Sequence, residues 1–450
     1  MPETPHKGSL LIIFLTVFID LLGFGIVLPL LPLYGEHFAA EHHLTSAEVG
    51  WILGLLMSSF SAMQFLFAPI WGRLSDRFGR RPILLIGLSA STTFYAMFGV
   101  AAAWHSLTGL FIARIGAGIA GATISTAQAY IADTTSKENR AKGMAIIGAA
   151  FALGFTLGPL IGGTALLAGG QVALSPWPGY VAAGLSAVAL LLAAFMLPES
   201  RKPGEETDER RWFDPGALRS ALSTPSIALL LLTSFVAVFS FANFESTLSL
   251  QVEELVRQHG EGEIASSVLQ SLVARVHGWG YGKPDDVVQI VVFMAFAYLG
   301  MVLTLAQGVL VRRLAGKISE GVMAALGAIL AIGGFAWLAR ASGQGDFTQL
   351  LWAMAVEVVG FAFVNPSLQS LISRRSDPQR QGGVLGLGQS ASSLARILGP
   401  ICGMRLFKES PTWPYWTAAT MLGVGLVMIV VAARGGKDYA APDIVSPSAQ

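Results

Sequence analysis

Between two strongly apolar stretches, about 49–70 and 83–103, lies the run Gly72-Arg73-Leu74-Ser75-Asp76-Arg77-Phe78-Gly79-Arg80-Arg81-Pro82. Each flanking stretch is near the ~20 residues that cross a bilayer as a helix. Short loops carrying several arginines resist translocation, so this hairpin is expected to join two transmembrane helices on the cytoplasmic face. Composition agrees, since 53% of residues are hydrophobic and 13% charged, against about 25% charged in a soluble domain. The net charge of +1 implies no nucleic-acid partner, because the cations are clustered by topology and not spread over a docking face. Cys402 is the one cysteine and sits in an apolar stretch, so an intrachain disulfide is excluded and a packing role is expected.

Apolar runs of helix length occur at about 9–33, 47–70, 82–103, 107–131, 141–168, 179–197, 226–250, 287–311, 321–339, 348–372, 383–406 and 414–433. They predict an all-α integral membrane fold with twelve transmembrane helices. The first run is longer than the ~7–15 residue core of a signal peptide and many spans follow it, so it reads as a retained helix. Lys and Arg concentrate in the loops that share a side with the hairpin, among them Lys137, Arg140, Lys142, Arg312, Arg313, Arg374 and Arg375. That bias places both termini in the cytoplasm of a cell (inner) membrane.

The polar stretch 198–224 divides the chain into a six-helix bundle at 1–197 and a second at 225–434, followed by a cytoplasmic tail at 435–450. The second bundle carries a long outer loop at 251–286. In that loop Ile264, Val268, Leu269, Leu272, Val273 and Val276 share one helical face, which predicts an amphipathic helix on the outer surface. The halves echo each other: the Gly154 to Gly162 segment of the fifth span recurs as Ala395 to Gly403 in the eleventh, with Gly399-Pro400 standing where Gly158-Pro159 stands. Arg140-x-x-Gly143 likewise recurs as Arg380-x-x-Gly383. Two pseudo-symmetric bundles are what a rocking transporter with a central site requires.

The pattern G-x-L-x-D-R-x-G-R-R at Gly72 to Arg81 resembles the loop between helices 2 and 3 of the major facilitator superfamily, and the resemblance extends over essentially the whole chain. Arg114 to Ala122 looks like that family's arginine-bearing motif, and Gly154 to Gly163 like the Gly-Pro motif of its antiporter branch. The segments Asp20 to Pro32 and Ala129 to Arg140 are similar to tetracycline efflux pumps. Glu245 to Leu248, Gln307 to Arg313 and Gln389 to Arg396 look like the tetracycline transporter-like proteins of eukaryotes. Two departures argue against tetracycline itself as substrate: no acidic residue lies between Glu320 and Arg340 in the ninth span, and the eighth lacks the histidine those pumps carry. The resemblance implies that Asp76 caps the start of the eleventh span, while Arg77 and Arg80 are placed to pair with Asp133. Gly72, Asp76, Arg77, Gly79, Arg80, Asp133, Arg140, Gly154, Gly158, Pro159, Gly162, Gly399 and Pro400 are the expected gating residues.

A charge at mid-membrane costs at least ~2.5–3.5 kcal/mol, so each should face a partner or a water-filled cavity. Asp20, Arg114, Glu357 and Arg396 are such charges and the expected proton-coupling residues. With ~1.5 Å rise per residue, Asp20 and Arg114 fall at similar depth, so an exchanging pair is expected, with Glu357 and Arg396 repeating it. Gln64, Gln128, Asn243, Glu245, Asn365 and Gln389 are the candidate substrate-binding groups, with Phe24, Phe60, Phe241 and Phe361 as a possible apolar wall.

Gly116-x-Gly118-x-x-Gly121 fits a dinucleotide fingerprint but lies within an apolar helix with no preceding strand, and no phosphate loop occurs. His37, His42 and His43 beside Glu36 and Glu41 read as a solvated loop and not a metal site. No enzyme activity, cofactor or metal is expected. The resulting expectation is a secondary active transporter, a proton-coupled antiporter that exports small amphipathic organic or drug-like molecules by alternating access. Its expected partners are the small-molecule substrate, protons and the lipid bilayer, with the protein acting as a monomer. A uniporter or symporter of a metabolite or organic anion is the alternative, and a non-transporting receptor on the same fold a distant third.

Overall fold

The computed structural model describes residues 7–40, 44–135, 140–168, 174–200, 225–260, 266–314, 316–376 and 381–435. Nearly all of them are helical: α1 (Lys7–Val27), α2 (Leu31–Ala40), α3 (Ser46–Phe78), α4 (Arg80–Ala103), α5 (Leu107–Gly121), α6 (Ile124–Thr134), α7 (Arg140–Ala168) and α8 (Trp177–Met196) come from the first half. The second half supplies α9 (Pro225–Gly260), α10 (Ser267–Gly278), α11 (Pro284–Leu305), α12 (Glu320–Gln344), α13 (Phe347–Arg375), α14 (Gln381–Phe407) and α15 (Trp413–Gly435). With α1 and α2 forming one broken span and α5 and α6 another, and α10 lying outside the set, this is the expected twelve-span architecture. Among the described residues ten helical stretches are long and apolar enough to cross a membrane. The two others, α7 and α14, hold the repeated Gly-Pro segments, and α14 is diluted by Gln389, Ser390, Ser392, Ser393 and Arg396.

The breaks have local causes. Pro29 and Pro32 lack the N–H that an α-helix interior needs, so a 3-10 turn, Leu28–Leu30, separates α1 from α2. The Pro29 carbonyl freed by the break accepts from Ser249 Oγ at 2.8 Å. Between α5 and α6, the Ile119 carbonyl accepts from Trp71 Nε1 at 2.8 Å and the Gly121 carbonyl from Gln64 Nε2 at 3.2 Å. Thr45 and Glu48 form a reciprocal capping box that starts α3. The long α9 continues ten residues past the expected end of its span, so the first part of the 251–286 loop is helix. α10 is the amphipathic segment; Leu269 and Val276 of its apolar face are buried in the protein core and Ser266 bonds Thr348 at 2.9 Å, so that face packs beside α13. Ile264, His42, His43, Arg380, residues 201–224 of the expected linker and nearly all of the tail lie outside the described residues.

Glycines set how closely the helices approach, because without a Cβ two backbones can touch. A Cβ on Gly158 would stand 2.8 Å from the Gly25 backbone, and one on Gly154 3.0 Å from Leu21, so α7 lies directly against α1. The repeat does the same in the second half: a Cβ on Gly399 would reach Ala242 at 2.9 Å, holding α14 against α9. Contacts between the halves also come as a pair. Gly54 of α3 meets Ile401 of α14, and Gly300 of α11 meets Phe155 and Thr156 of α7.

Candidate functional site

Asp20 on α1 is half-buried at the centre of the first six spans. It accepts a hydrogen bond from Ser186 Oγ of α8 at 3.2 Å and another from Ser91 of α4. Arg114 on α5 is only 2% exposed, and its Nε and Nη1 have no hydrogen-bond partner. Its guanidinium instead lies over the rings of Phe60 on α3, at 4.7 Å, and Phe24 on α1, at 5.6 Å. The expected Asp20–Arg114 ion pair is absent among the described residues. Tyr95 of α4 is within electrostatic reach of both. Matching depth on two helices does not specify azimuth: Asp20 is held by Ser186 and Ser91, and Arg114 by the rings of Phe60 and Phe24. Tyr95, Ser91 and Ser186 carried no charge signal in the sequence and were missed.

The second half repeats the motif of isolated charge with different partners. Glu357 on α13 is 1% exposed, and neither carboxyl oxygen has a hydrogen-bond partner. It sits at the α12–α13 seam, where a Cβ on Gly334 would meet Glu357 backbone at 2.6 Å. Arg396 on α14 is exposed, and the carboxylate within its electrostatic reach is Glu245 of α9 and not the expected Glu357. Glu245 in turn reaches Glu357, so the three form one sequence of charges. Phe241 and Phe361 stack at 4.1 Å between α9 and α13, as Phe24 and Phe60 pair at 4.9 Å between α1 and α3.

The neutral candidates separate. Gln64 spends its amide nitrogen on the Gly121 carbonyl, a structural use. Asn243 is fully buried with neither side-chain polar atom bonded, and its Oδ1 faces the Gly403 backbone. Gln128 and Gln389 are exposed and Asn365 half-buried.

At the end of the bundle that carries the 72–82 hairpin, Arg80 pairs with Asp76 at 2.6 Å and with Asp133 at 3.0 Å. Arg77 is not part of that pair; its guanidinium lies 5.3 Å from the centre of the Phe78 ring. Asp76 was expected at the start of α14, and the described partner is Arg80 of its own half. The Arg140 side chain lies outside the described residues. Glu199, which the sequence reading passed over, accepts from the backbone N–H groups of Arg80 at 2.8 Å and Arg81 at 3.1 Å, and so caps α4. Gly79 makes room for it: its φ is +98°, and a Cβ there would stand 2.6 Å from a Glu199 oxygen. Gly72, by contrast, has open space where a Cβ would go. Gly79→Ala is expected to cost about 1–3 kcal/mol, since that backbone region is essentially glycine-only; a fall in unfolding temperature in detergent checks it, with Gly72→Ala as the neutral comparison.

The halves meet at the opposite end and the midplane. Lys408 of α14 pairs with Glu36 of α2 at 2.5 Å, Tyr281 donates to the Leu167 carbonyl at 3.0 Å, Ser58 donates to the Ile397 carbonyl at 2.5 Å, and Thr156 bonds Thr304 at 2.8 Å. The described ion pairs at the hairpin end, Arg80–Asp133 and Arg374–Glu320, each stay within one half.

Comparison with known proteins accords with this geometry. The tetracycline resistance protein, class B, of Escherichia coli is 28% identical over 415 residues, covering 92% of each chain. The major facilitator superfamily domain-containing protein 10 of Bos taurus is 30% identical over 445 residues, 89% of this chain and 87% of its own. Among solved structures, the human organic anion transporter MFSD10 superposes with a TM-score of 0.64 at 24% identity, over 95% of this chain and all of its own. The xylose transporter XylE of E. coli, in a partially occluded inward-open conformation, gives 0.68 at 16% identity over 96% and 98%. The family model described as Major Facilitator Superfamily matches residues 13–400, and the chain belongs to that superfamily of membrane transporters.

Proposed function

We propose that this transporter is a proton-coupled antiporter that exports small amphipathic organic molecules from the cytoplasm by alternating access, working as a monomer with both termini inside. The observation that carries the reading is Glu357: a carboxyl buried among helices with no donor is stable there only when its charge is neutralised. A proton supplies that neutralisation, and Glu245, within electrostatic reach of both, links Glu357 to the exposed Arg396. Asp20, held by Ser91 and Ser186 with Tyr95 within electrostatic reach, provides a second exchangeable site in the first half. In this reading the Glu36–Lys408 pair closes the outer end, and the 198–224 linker lets two six-helix domains rock about the glycine contacts.

A second reading is favoured by one observation. Arg114 keeps two unpaired nitrogens beside two aromatic rings, a setting that suits an anionic aromatic substrate, and the structurally similar human MFSD10 is an organic anion transporter. One experiment separates them. Proteoliposomes holding a pH dye are challenged with lipophilic cations, tetracyclines and organic anions. Proton movement triggered by one class supports coupled antiport and identifies the class; organic anion flux with no proton signal overturns coupling in favour of uniport.

A further inference from the structure

The buried acid of the second half lies next to an aromatic layer at a fixed helical spacing. Phe241 precedes Glu245 by four residues on α9, and Phe361 follows Glu357 by four on α13, so each ring shares a helix face with its acid. α9 leads away from the hairpin end, towards Glu253 and Arg257 beside Glu36, and α13 returns to it, ending where Arg374 meets Glu320. Both rings are therefore displaced from the acids in the same direction, about 6 Å towards the hairpin end for one helical turn of four residues. There they stack at 4.1 Å with an interplanar angle of 15°, so the two helices meet through them. Phe244 continues the layer: its ring meets Phe241 at 6.1 Å and Phe335 of α12 at 6.2 Å, both edge-on.

Polar groups lie on both sides of this layer. Along α13, Glu357, Phe361, Asn365 and Gln369 follow one another at four-residue spacing; Glu357 is buried, whereas Asn365 and Gln369, nearer the hairpin end, are half-buried. Towards the opposite end the acid is closed off more deeply, by the fully buried Leu248, Ala353 and Met354 and by the Ser249 bond to the Pro29 carbonyl of the first half. A carboxyl with neither oxygen bonded is thus held one aromatic layer away from a polar stripe that runs to the hairpin end. An apolar side chain would fill such a place with no desolvation cost, and excluding water from a proton site is what prevents leakage. We propose that the Phe241–Phe361 stack is a proton seal, keeping water at the hairpin end away from Glu357. Release of a proton to that side then requires α9 and α13 to part, which ties it to the transport cycle. That the sealed side is the cytoplasm, and that Glu357 carries the coupled proton, rest on the antiport reading above; the seal itself does not.

The test is chemical access to Glu357 in the purified full chain. A water-soluble carbodiimide with an amine nucleophile converts reachable carboxyls to amides, and mass spectrometry of the peptide carrying Glu357 reads the rate. Slow labelling of the wild type is expected, rising about tenfold in Phe361→Ala and in Phe241→Ala, which corresponds to about 1.4 kcal/mol off the access barrier. Phe361→Leu, which keeps apolar bulk in the layer, should stay slow, and Trp352→Ala, at an exposed aromatic position of the same helix, should match the wild type. Should Phe361→Ala fail to fold, Phe241→Ala opens the same layer from α9. Wild-type labelling as fast as in the alanine variants overturns the seal, and so does an equal rise in Trp352→Ala, which reports general loosening. Proteoliposomes holding a pH dye separate the seal from the antiport reading. A proton leak without substrate in Phe361→Ala, abolished by adding Glu357→Gln, supports both; faster labelling with no leak keeps the seal and overturns Glu357 as the coupling site.

Discussion

Asp20→Asn is expected to lower substrate-driven proton movement in proteoliposomes by at least about a hundredfold, the lower range for loss of a positioned proton-transfer group, while the protein still folds. The asparagine carbonyl can accept the same hydrogen bonds from Ser186 and Ser91 that the carboxylate accepts now. What it cannot do is take up and release a proton. A merely structural Asp20 would predict the reverse pattern: near-normal transport in Asp20→Asn and clear loss of stability. Because Tyr95 is within electrostatic reach of both Asp20 and Arg114, Tyr95→Phe adds a second readout. It keeps the ring against Gly23 and removes the hydroxyl, so a shifted pH profile of transport with unchanged folding is expected if the two charges communicate through it. Identical pH profiles for wild type and Tyr95→Phe would leave Asp20 acting alone.

Gly158→Leu is expected to cost about 3 kcal/mol or more, at or beyond the upper range for overpacking, and to lower the yield of monodisperse protein in detergent. The atoms a Cβ would meet at 2.8 Å are the Cα and carbonyl carbon of Gly25, with the Ile26 nitrogen at 3.1 Å. These are backbone atoms, so no rotamer change relieves the clash, and α7 must separate from α1. Ala reports the same geometry with a smaller effect, while Gly386→Ala and Gly423→Ala, where no atom lies within 4 Å, should be near neutral. If Gly158→Leu matches those two in unfolding temperature, the α1–α7 contact is looser than the structure shows.

Much of the architecture was legible in the chain because a bilayer leaves few options. A run of about twenty apolar residues must satisfy its backbone internally, which means a helix. Twelve such runs, the arginine hairpin and the repeated Gly-Pro segments therefore specified span number, the two halves and the helix faces that touch. Gly154, Gly158 and Gly162 read as a contact face, since small residues at four-residue spacing have that meaning in a membrane, and the first two lie against α1 while Gly162 meets Phe293 of α11. The unpartnered acids and bases were legible too, because charge inside a bilayer stands out in composition alone.

Which groups pair was decided only by tertiary structure. Depth along a helix follows from residue number, but neighbours follow from rotation about each helix axis and from what the third helix inserts. Thus Tyr95, an uncharged residue on α4, lies within electrostatic reach of both Asp20 and Arg114, and Glu245 rather than Glu357 is the acid that reaches Arg396. Glu199 became a cap because the end of α8 comes beside the start of α4, although 118 residues separate it from Arg81. The sequence determined that this is a twelve-span transporter with charge at its centre, through the cost of placing polar groups in lipid. The fold alone decided the partners of those charges, because partnership depends on ångström-scale packing between helices far apart in the chain.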